Sequence, residues 1–347
     1  MVTPTFHYFN YADCRNARAE FNPTVFWFYS KTKDPALIYL QKRLLEQEPA
    51  RKSWLLPLAM IWGAGSGASL ENPPEPKQLS WMGQGTNPVM AARSSWSDPG
   101  ALYLGFKAGS PQVSHAHMDV GSFVFEADGV HWAMDFGLDE YHRLESRGVR
   151  LWANGENGQR WEVFRFRSTS HNLVTFDGKN QRAHGVAKID DYGDRSGIVY
   201  AMSDLSDLYS TQVAAYKRAV SLVDKRYAVI QDLVTTNDQS VKMRWNMLTE
   251  ADENKLTEVP NVVFFSDGHA WLKKGNKMLC LRVESPVPVR FFQKDTTPEE
   301  DYNSPNEGNQ FVGFEVELPA NTTQEIRVYL IPGETVTAPK PGYQFKK

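Results

Sequence analysis

Residues 121–135 read Gly121-Ser122-Phe123-Val124-Phe125-Glu126-Ala127-Asp128-Gly129-Val130-His131-Trp132-Ala133-Met134-Asp135. Two runs rich in β-branched and aromatic residues flank the pair Asp128-Gly129, and Asp-Gly is turn chemistry that closes a tight antiparallel hairpin. The stretch predicts strands over 121–127 and 130–135. Similar runs recur at 101–107, 170–176, 198–203, 212–222, 227–234, 241–248, 262–265, 277–283, 289–292, 311–318 and 325–330, and Asp177-Gly178 and Asp267-Gly268 repeat the turn pair. This many strands with turns between them predicts a mainly β protein built on a large antiparallel β-sandwich.

Upstream the pattern changes to helical. Residues 17–31 favour a helix interrupted near Pro23, Pro35 suits the first turn of a helix over 36–47 carrying Leu37, Leu40, Leu44 and Leu45 at helical spacing, and 52–62 forms a third candidate. Three such helices do not close a sizeable all-α domain, so residues 1–63 are expected to be the tail of something longer. The run Gly63-Ala-Gly-Ser-Gly-Ala-Ser69 and then Asn72-Pro-Pro-Glu-Pro76 predict a linker over 64–87, with the sandwich occupying 88–347.

Composition narrows the function. Hydrophobic residues make up 41% and charged residues 23% of the 347, as in ordinary globular proteins. The net charge of −3 comes without a basic stripe, which argues against nucleic acid as a partner. No apolar run is long enough for a membrane span. Residues 1–10 lack the charged start and apolar run of a signal peptide. Cys14 and Cys280 are expected to be two free thiols, since one distant pair is no disulfide framework.

The chemistry-bearing stretch is Ser114-His115-Ala116-His117-Met118-Asp119-Val120-Gly121-Ser122-Phe123. On an extended backbone, histidines two apart point to one side. Asp135 ends the second hairpin strand and His171 opens the run Ser170-His171-Asn172-Leu173-Val174. His117, Asp135 and His171 together offer the N and O donors that zinc takes. Hydrogen-bonded core histidines beside an unrelated aspartate read the same way.

The ordered segments His115-Ala-His117-Met-Asp119-Val-Gly-Ser-Phe123, Gly129-Val-His-Trp-Ala-Met-Asp135-Phe-Gly137 and Arg167-Ser-Thr-Ser-His171-Asn172-Leu-Val-Thr-Phe-Asp-Gly178, with Arg93-Ser-Ser-Trp96 upstream, resemble the heparinase II/III-like polysaccharide lyases. The resemblance covers roughly residues 88–180. It implies an α/α toroid followed by a β-sandwich, and a structural zinc on His117, Asp135 and His171. It also places His115 on the substrate cleft and implies cleavage of an acidic polysaccharide by β-elimination. Such a reaction removes a proton beside a uronate carboxylate and protonates the leaving oxygen, work suited to His and Tyr. Tyr141, close after Asp135, and Tyr11, in Phe9-Asn10-Tyr11-Ala12-Asp13, are the tyrosines placed to reach the cleft, although a surface aromatic would read alike. Arg93, Arg167 and Asn172 are the candidates for binding substrate, and Arg165 and Arg182 could also meet sulfate or carboxylate.

Family members carry a longer toroid, so a fragment of a longer lyase is expected, with periplasmic or secreted location implied by the resemblance. A homodimer is compatible with the sequence. Two other readings stay open: a noncatalytic carbohydrate-binding β-sandwich with a structural zinc, and a zinc hydrolase, the latter disfavoured because no His-Glu-x-x-His signature is present.

Overall fold

In the computed structural model, which describes residues 1–46, 53–67, 69–250, 264–266, 269–333 and 340–345, the chain opens on an extended segment. The helical expectation for 1–63 therefore fails over residues 1–22. Isolated bridges Val2↔Tyr8, His7↔Arg18 and Arg15↔Gly137 shape this segment, the last tying it to the β region. Its polar groups find partners there: the Asn10 amide donates to the Asp135 carbonyl at 2.8 Å and the Ala12 N–H to Asp119 Oδ2 at 3.0 Å. Tertiary pairing overrides whatever local helix preference the segment has.

Among the described residues three short helices follow, α1 (Thr24–Thr32), α2 (Tyr39–Leu45) and α3 (Leu56–Gly63), with a 3₁₀ turn at Pro35–Ile38 before α2. Lys33 ends α1 in the left-handed region at φ 58°, its N–H returning to the Tyr29 carbonyl, and the Asp34 carboxylate then caps the next turn through the Ala36 N–H at 3.0 Å. Phe21, Phe26, Ile38, Leu44 and Ala59 close a small core. Residue 52, where the third helix was expected to begin, lies outside the described residues. No described helix is long and apolar enough to cross a membrane.

The described strands are β1 (Ser80–Gly83), β2 (Val89–Arg93), β3 (Tyr103–Lys107), β4 (Phe123–Ala127), β5 (Val130–Ala133), β6 (Val174–Phe176), β7 (Asp191–Arg195), β8 (Ile198–Asp204), β9 (Ala215–Val223), β10 (Tyr227–Thr235), β11 (Val241–Glu250), β12 (Phe264–Ser266), β13 (His269–Lys274), β14 (Lys277–Glu284), β15 (Arg290–Asp295), β16 (Asn309–Leu318) and β17 (Thr323–Pro332). They form three antiparallel sheets ordered β1-β2-β3-β4-β5, β12-β13-β14-β17-β10-β9-β8-β7 and β15-β16-β11-β6. One apolar core is shared by all three, with Phe106 and Phe125, Val220 and Ile230, and Met243 and Phe314 among its members. At its centre the fully buried Trp245 ring stacks on Phe314 at 5.7 Å and meets Phe123 at 5.8 Å.

The fold is mainly β, as the turn-and-strand pattern predicts, and Cys14 and Cys280 are free thiols. Four strands lack a sequence signal. β1 lies inside the stretch assigned to the linker, and β2 reads Val-Met-Ala-Ala-Arg, good helix composition forced flat by burial. The exposed edge strand β7 is mostly charged, as edges often are, and β13 carries three lysine- and histidine-type positions among its six residues. The strand expected over 170–176 shrinks to β6, because Ser168–Ser170 is a 3₁₀ turn. The Asp267-Gly268 turn and residues 262–263 lie outside the described residues.

Candidate active site and metal centre

The site is assembled on loops at the ends of strands. The loop from β3 to β4 carries both His115 and His117, and it is anchored internally by the fully buried ion pair of Lys107 with Asp119. Gly121 turns the chain back toward β4 at φ 93°, where an added Cβ would come within 2.7 Å of the Leu205 side chain. The buried Arg218 locks this loop to the second sheet. It pairs with Asp232 through Nε at 2.7 Å and Nη2 at 3.1 Å, and it donates to the carbonyls of Gly121 and Asn172, each at 3.0 Å. A buried charge fully matched by a fork and two carbonyls holds its neighbours rigidly.

The extended backbone that would put both histidines on one side is absent. His115 sits in a turn at φ 61°, a strained region for a residue with a Cβ. The two rings nevertheless converge, because Asp13 stands between them. Its Oδ1 lies 2.9 Å from His117 Nε2 and its Oδ2 lies 2.9 Å from His115 Nδ1. Tyr141, at the start of the helix Tyr141–Ser146, donates its hydroxyl to the same Oδ2 and lies 3.0 Å from His115 Nδ1. The buried Arg160 completes the cluster: its Nε and Nη2 donate to the Ala116 carbonyl at 3.1 and 2.9 Å, and Nη2 stands 3.6 Å from Asp13. His115 is 56% exposed at its side chain whereas His117 is wholly buried, so one ring faces solvent and its neighbour faces the interior. Trp152, itself exposed, presents its ring edge-on to His115 at 5.5 Å and to Tyr141 at 5.6 Å.

The electrostatics follow from burial and these contacts. Burial pushes the Asp13 carboxyl up, but the hydrogen bonds of His117 and Tyr141 and the Arg160 charge outweigh it and hold the group below its usual value. Burial and then the Asp13 carboxylate push the Tyr141 phenol up to about 12, so it keeps its proton at neutral pH. Burial lowers His117 despite its bond to Asp13. His171 is also disfavoured by burial, yet the Asp135 carboxylate raises it overall.

His117, Asp135 and His171 are all buried and each offers a ligand atom within 4.8 Å of the others. Asp135 Oδ1 accepts from the Gly137 N–H at 2.8 Å and Oδ2 meets His171 Nδ1 at 2.7 Å. Gly137 has φ 65°, and a Cβ there would fall 2.0 Å from the Cys14 carbonyl, so only glycine lets the N-terminal segment pass. Among the described residues, His117 Nδ1 and His171 Nε2 are buried without any hydrogen-bond partner. Two orphaned imidazole nitrogens beside a carboxylate fit a bound cation.

The remaining candidates lie elsewhere. Asn172 is fully buried and its amide is used up: Nδ2 donates to the carbonyls of Phe123 and Met134, and Oδ1 accepts from the Leu248 N–H. These bonds tie β4, the residue after β5 and β11 together, so the amide acts as a structural post. Arg93 is buried against Trp96, its guanidinium 3.6 Å from the ring centre, and donates to the Val2 carbonyl at 2.5 Å. It lines a cleft of about 720 Å³ between α2 and β1 together with Leu40, Pro76 and Trp81. Arg167 packs over Phe164 and stands 3.8 Å from Glu299. Tyr11 packs edge-on against Phe9 at 5.3 Å, while its neighbour Asp13 enters the cluster instead. Asp13 appears in the sequence only within the segment around Tyr11, and Arg160 and Trp152 carried no motif that would single them out.

The sequence model of one family, described as heparinase II/III-like, C-terminal, matches residues 75–330. No curated protein matches the chain. Among solved structures, the heparan sulfate lyase HepC from Pedobacter heparinus aligns at 14% identity and TM-score 0.66, over 98% of this chain and 46% of that one. A heparinase III aligns at 12% identity and TM-score 0.60, over 95% of this chain and 47% of that one. At these identities the likeness is one of fold, and the chain spans less than half the length of either lyase. The family match is broader than the structural likeness is deep, and it decides the assignment: the chain belongs to the heparinase II/III-like family, whose C-terminal domain occupies residues 75–330.

Proposed function

We propose that the chain is the C-terminal part of a polysaccharide lyase acting on a uronate-containing acidic glycan, with His115 and Tyr141 as its acid–base pair. The observation that carries this reading is the shared Asp13 carboxylate, which holds an exposed histidine and a protonated tyrosine 3.0 Å apart. With the Nδ1 proton of His115 donated to Asp13, Nε2 presents its lone pair outward as a base. It takes the proton from the sugar carbon beside the carboxylate. The electron pair left behind becomes the carbon–carbon double bond, and the glycosidic carbon–oxygen bond breaks. Tyr141 gives its proton to the leaving oxygen, and the phenolate recovers one from the His115 imidazolium. The net transfer is one proton from carbon to oxygen, so no water or oxidant is consumed.

Trp152 offers an aromatic face beside these two groups, suited to stacking a sugar ring. Where zinc is bound, His117, Asp135 and His171 would hold it and it would supply structural bracing. Bracing His117 fixes the backbone two residues from His115. The family and the likeness to the heparan sulfate lyase HepC favour a glycosaminoglycan substrate, and such a substrate fits a periplasmic or secreted enzyme. A noncatalytic sugar-binding sandwich would use Trp152 and the metal group but has no need of an oriented His115–Tyr141 pair.

The test is a panel of heparan sulfate, chondroitin sulfate and alginate offered to the protein as the cell makes it, with the ultraviolet absorbance of the unsaturated uronate product followed over time. Growth of that absorbance on at least one glycan supports the lyase. Retention of glycans on the protein with no unsaturated product on any of them would favour the binding module.

A further inference from the structure

A second cluster of metal-type ligands lies apart from the site above. Glu126 and His131 are cross-strand partners in the β4–β5 hairpin, next to a register shift between Phe125 and Glu126. His7, from the N-terminal segment, comes over them, its ring centre 5.4 Å from that of His131. The three residues each offer a ligand atom within 4.8 Å of the others. Thr5 organises them: its hydroxyl donates to Glu126 Oε1 at 2.8 Å and meets His7 Nδ1 at 2.7 Å, while its N–H donates to Glu126 Oε2 at 3.1 Å.

From this geometry we infer that His7, Glu126 and His131 form a second zinc-type metal site, which clamps the N-terminal segment to the first sheet. Two imidazoles and one carboxylate are a donor set that zinc takes, with water in a fourth position. Two buried features point the same way. The Nε2 atom of His131 has no hydrogen-bond partner among the described residues, in a side chain only 8% exposed. Glu126 is fully buried and forms no lysine or arginine ion pair among the described residues; its titratable neighbours are His131, whose Nδ1 is 3.7 Å away, and His7, with the Arg93 guanidinium acting from farther off. A buried carboxylate without a cation is costly, and a metal ion supplies one.

Donors sharing one zinc stand about 3.4 Å apart at bonds of about 2.1 Å. The cluster therefore closes by movements of about an ångström, which the half-buried His7 on its extended segment can make. The same segment delivers Asp13 to His115, so an ion here would stiffen the approach to the acid–base pair without touching it.

The experiment measures zinc content after chelation, reloading with zinc and removal of free metal, in the wild type and in His7→Gln, with His117→Ala as the complement. His7 is only half-buried, and glutamine retains a polar group beside Thr5, so that variant folds. The wild type is expected to hold two equivalents, and His7→Gln and His117→Ala one each. Equal zinc content in the wild type and His7→Gln would overturn the second site, whatever His117→Ala shows; loss confined to His117→Ala would leave only the first.

Discussion

Asp13 Oδ2 lies 2.9 Å from His115 Nδ1, across 102 positions of sequence, and the carboxylate's other oxygen lies 2.9 Å from His117. One side chain from the N-terminal segment thus couples the exposed ring to the buried one. The pairing aims the base, and it keeps the Tyr141 proton in place through the same oxygen.

Replacing that carboxylate while keeping its shape tests the coupling. Asp13→Asn is expected to lower kcat by at least about tenfold with little change in KM, because orientation and not sugar contact is lost. It should also let Tyr141 ionise at lower pH than about 12, since the carboxylate is one of the causes holding the phenol up. Ultraviolet pH titration, subtracting the Tyr141→Phe variant, reads the second effect. An unchanged kcat and an unchanged tyrosine titration would remove Asp13 from the account.

The metal group makes a stability prediction. Loss of a zinc present at about a hundred times its dissociation constant costs roughly 3 kcal/mol. His117→Ala should therefore lose the zinc of this group and melt several degrees lower, and chelator should lower the wild type's melting temperature at least as far as this substitution does. A chelator-insensitive melting temperature would show that His117, Asp135 and His171 are held by hydrogen bonds alone.

How much of this was legible in the sequence depends on the range of each contact. The hairpin around Asp128-Gly129 could be found because its residues sit in a local pattern, and the ordered motifs carried the family and singled out His117, Asp135 and His171, which the structure brings together. Asp13 and Arg160 were not legible as parts of the cluster. Their contacts span long separations, and nothing in Tyr11-Ala-Asp13 or Gln159-Arg160-Trp161 differs from ordinary loop composition. The same-side reading of His-x-His applies only to an extended backbone, and it does not carry over because His115 is left-handed. β7 escaped notice because it is a short, mostly charged edge strand buried only in part, where burial imposes no clear alternation.

Asn172 separates structure from substrate contact. Truncating it to alanine strips the Leu248 N–H and two carbonyls of their buried partner, and each unsatisfied group costs about 1–3 kcal/mol. Asn172→Ala is expected to fall by about 3 kcal/mol or more in denaturant unfolding, with KM of the remaining folded protein unchanged. A raised KM at full stability would restore the substrate-binding role.

Acid should weaken the third sheet through Glu315 on β16. Burial raises this carboxyl, but hydrogen bonds from Arg290, Arg244 and Lys242 overcome that and take it from 4.5 to about 2. A depressed carboxylate stabilises the fold above its unfolded value, and the contribution disappears as pH falls through the folded one. The melting-temperature gap between wild type and Glu315→Gln should hold from neutral pH to about 4.5 and then narrow toward about 2. A gap that stays constant across that interval would contradict the pairing.

The central claim is that His115 removes the proton, and the most direct measurement is the initial rate of unsaturated product formation by His115→Ala against the wild type, with zinc content measured on the same samples. The account predicts a rate lower by at least about a hundredfold with zinc unchanged, because a positioned base contributes about that much and the metal group lies behind it. A variant that keeps both its zinc and its rate would contradict the account and move the chemistry away from this histidine.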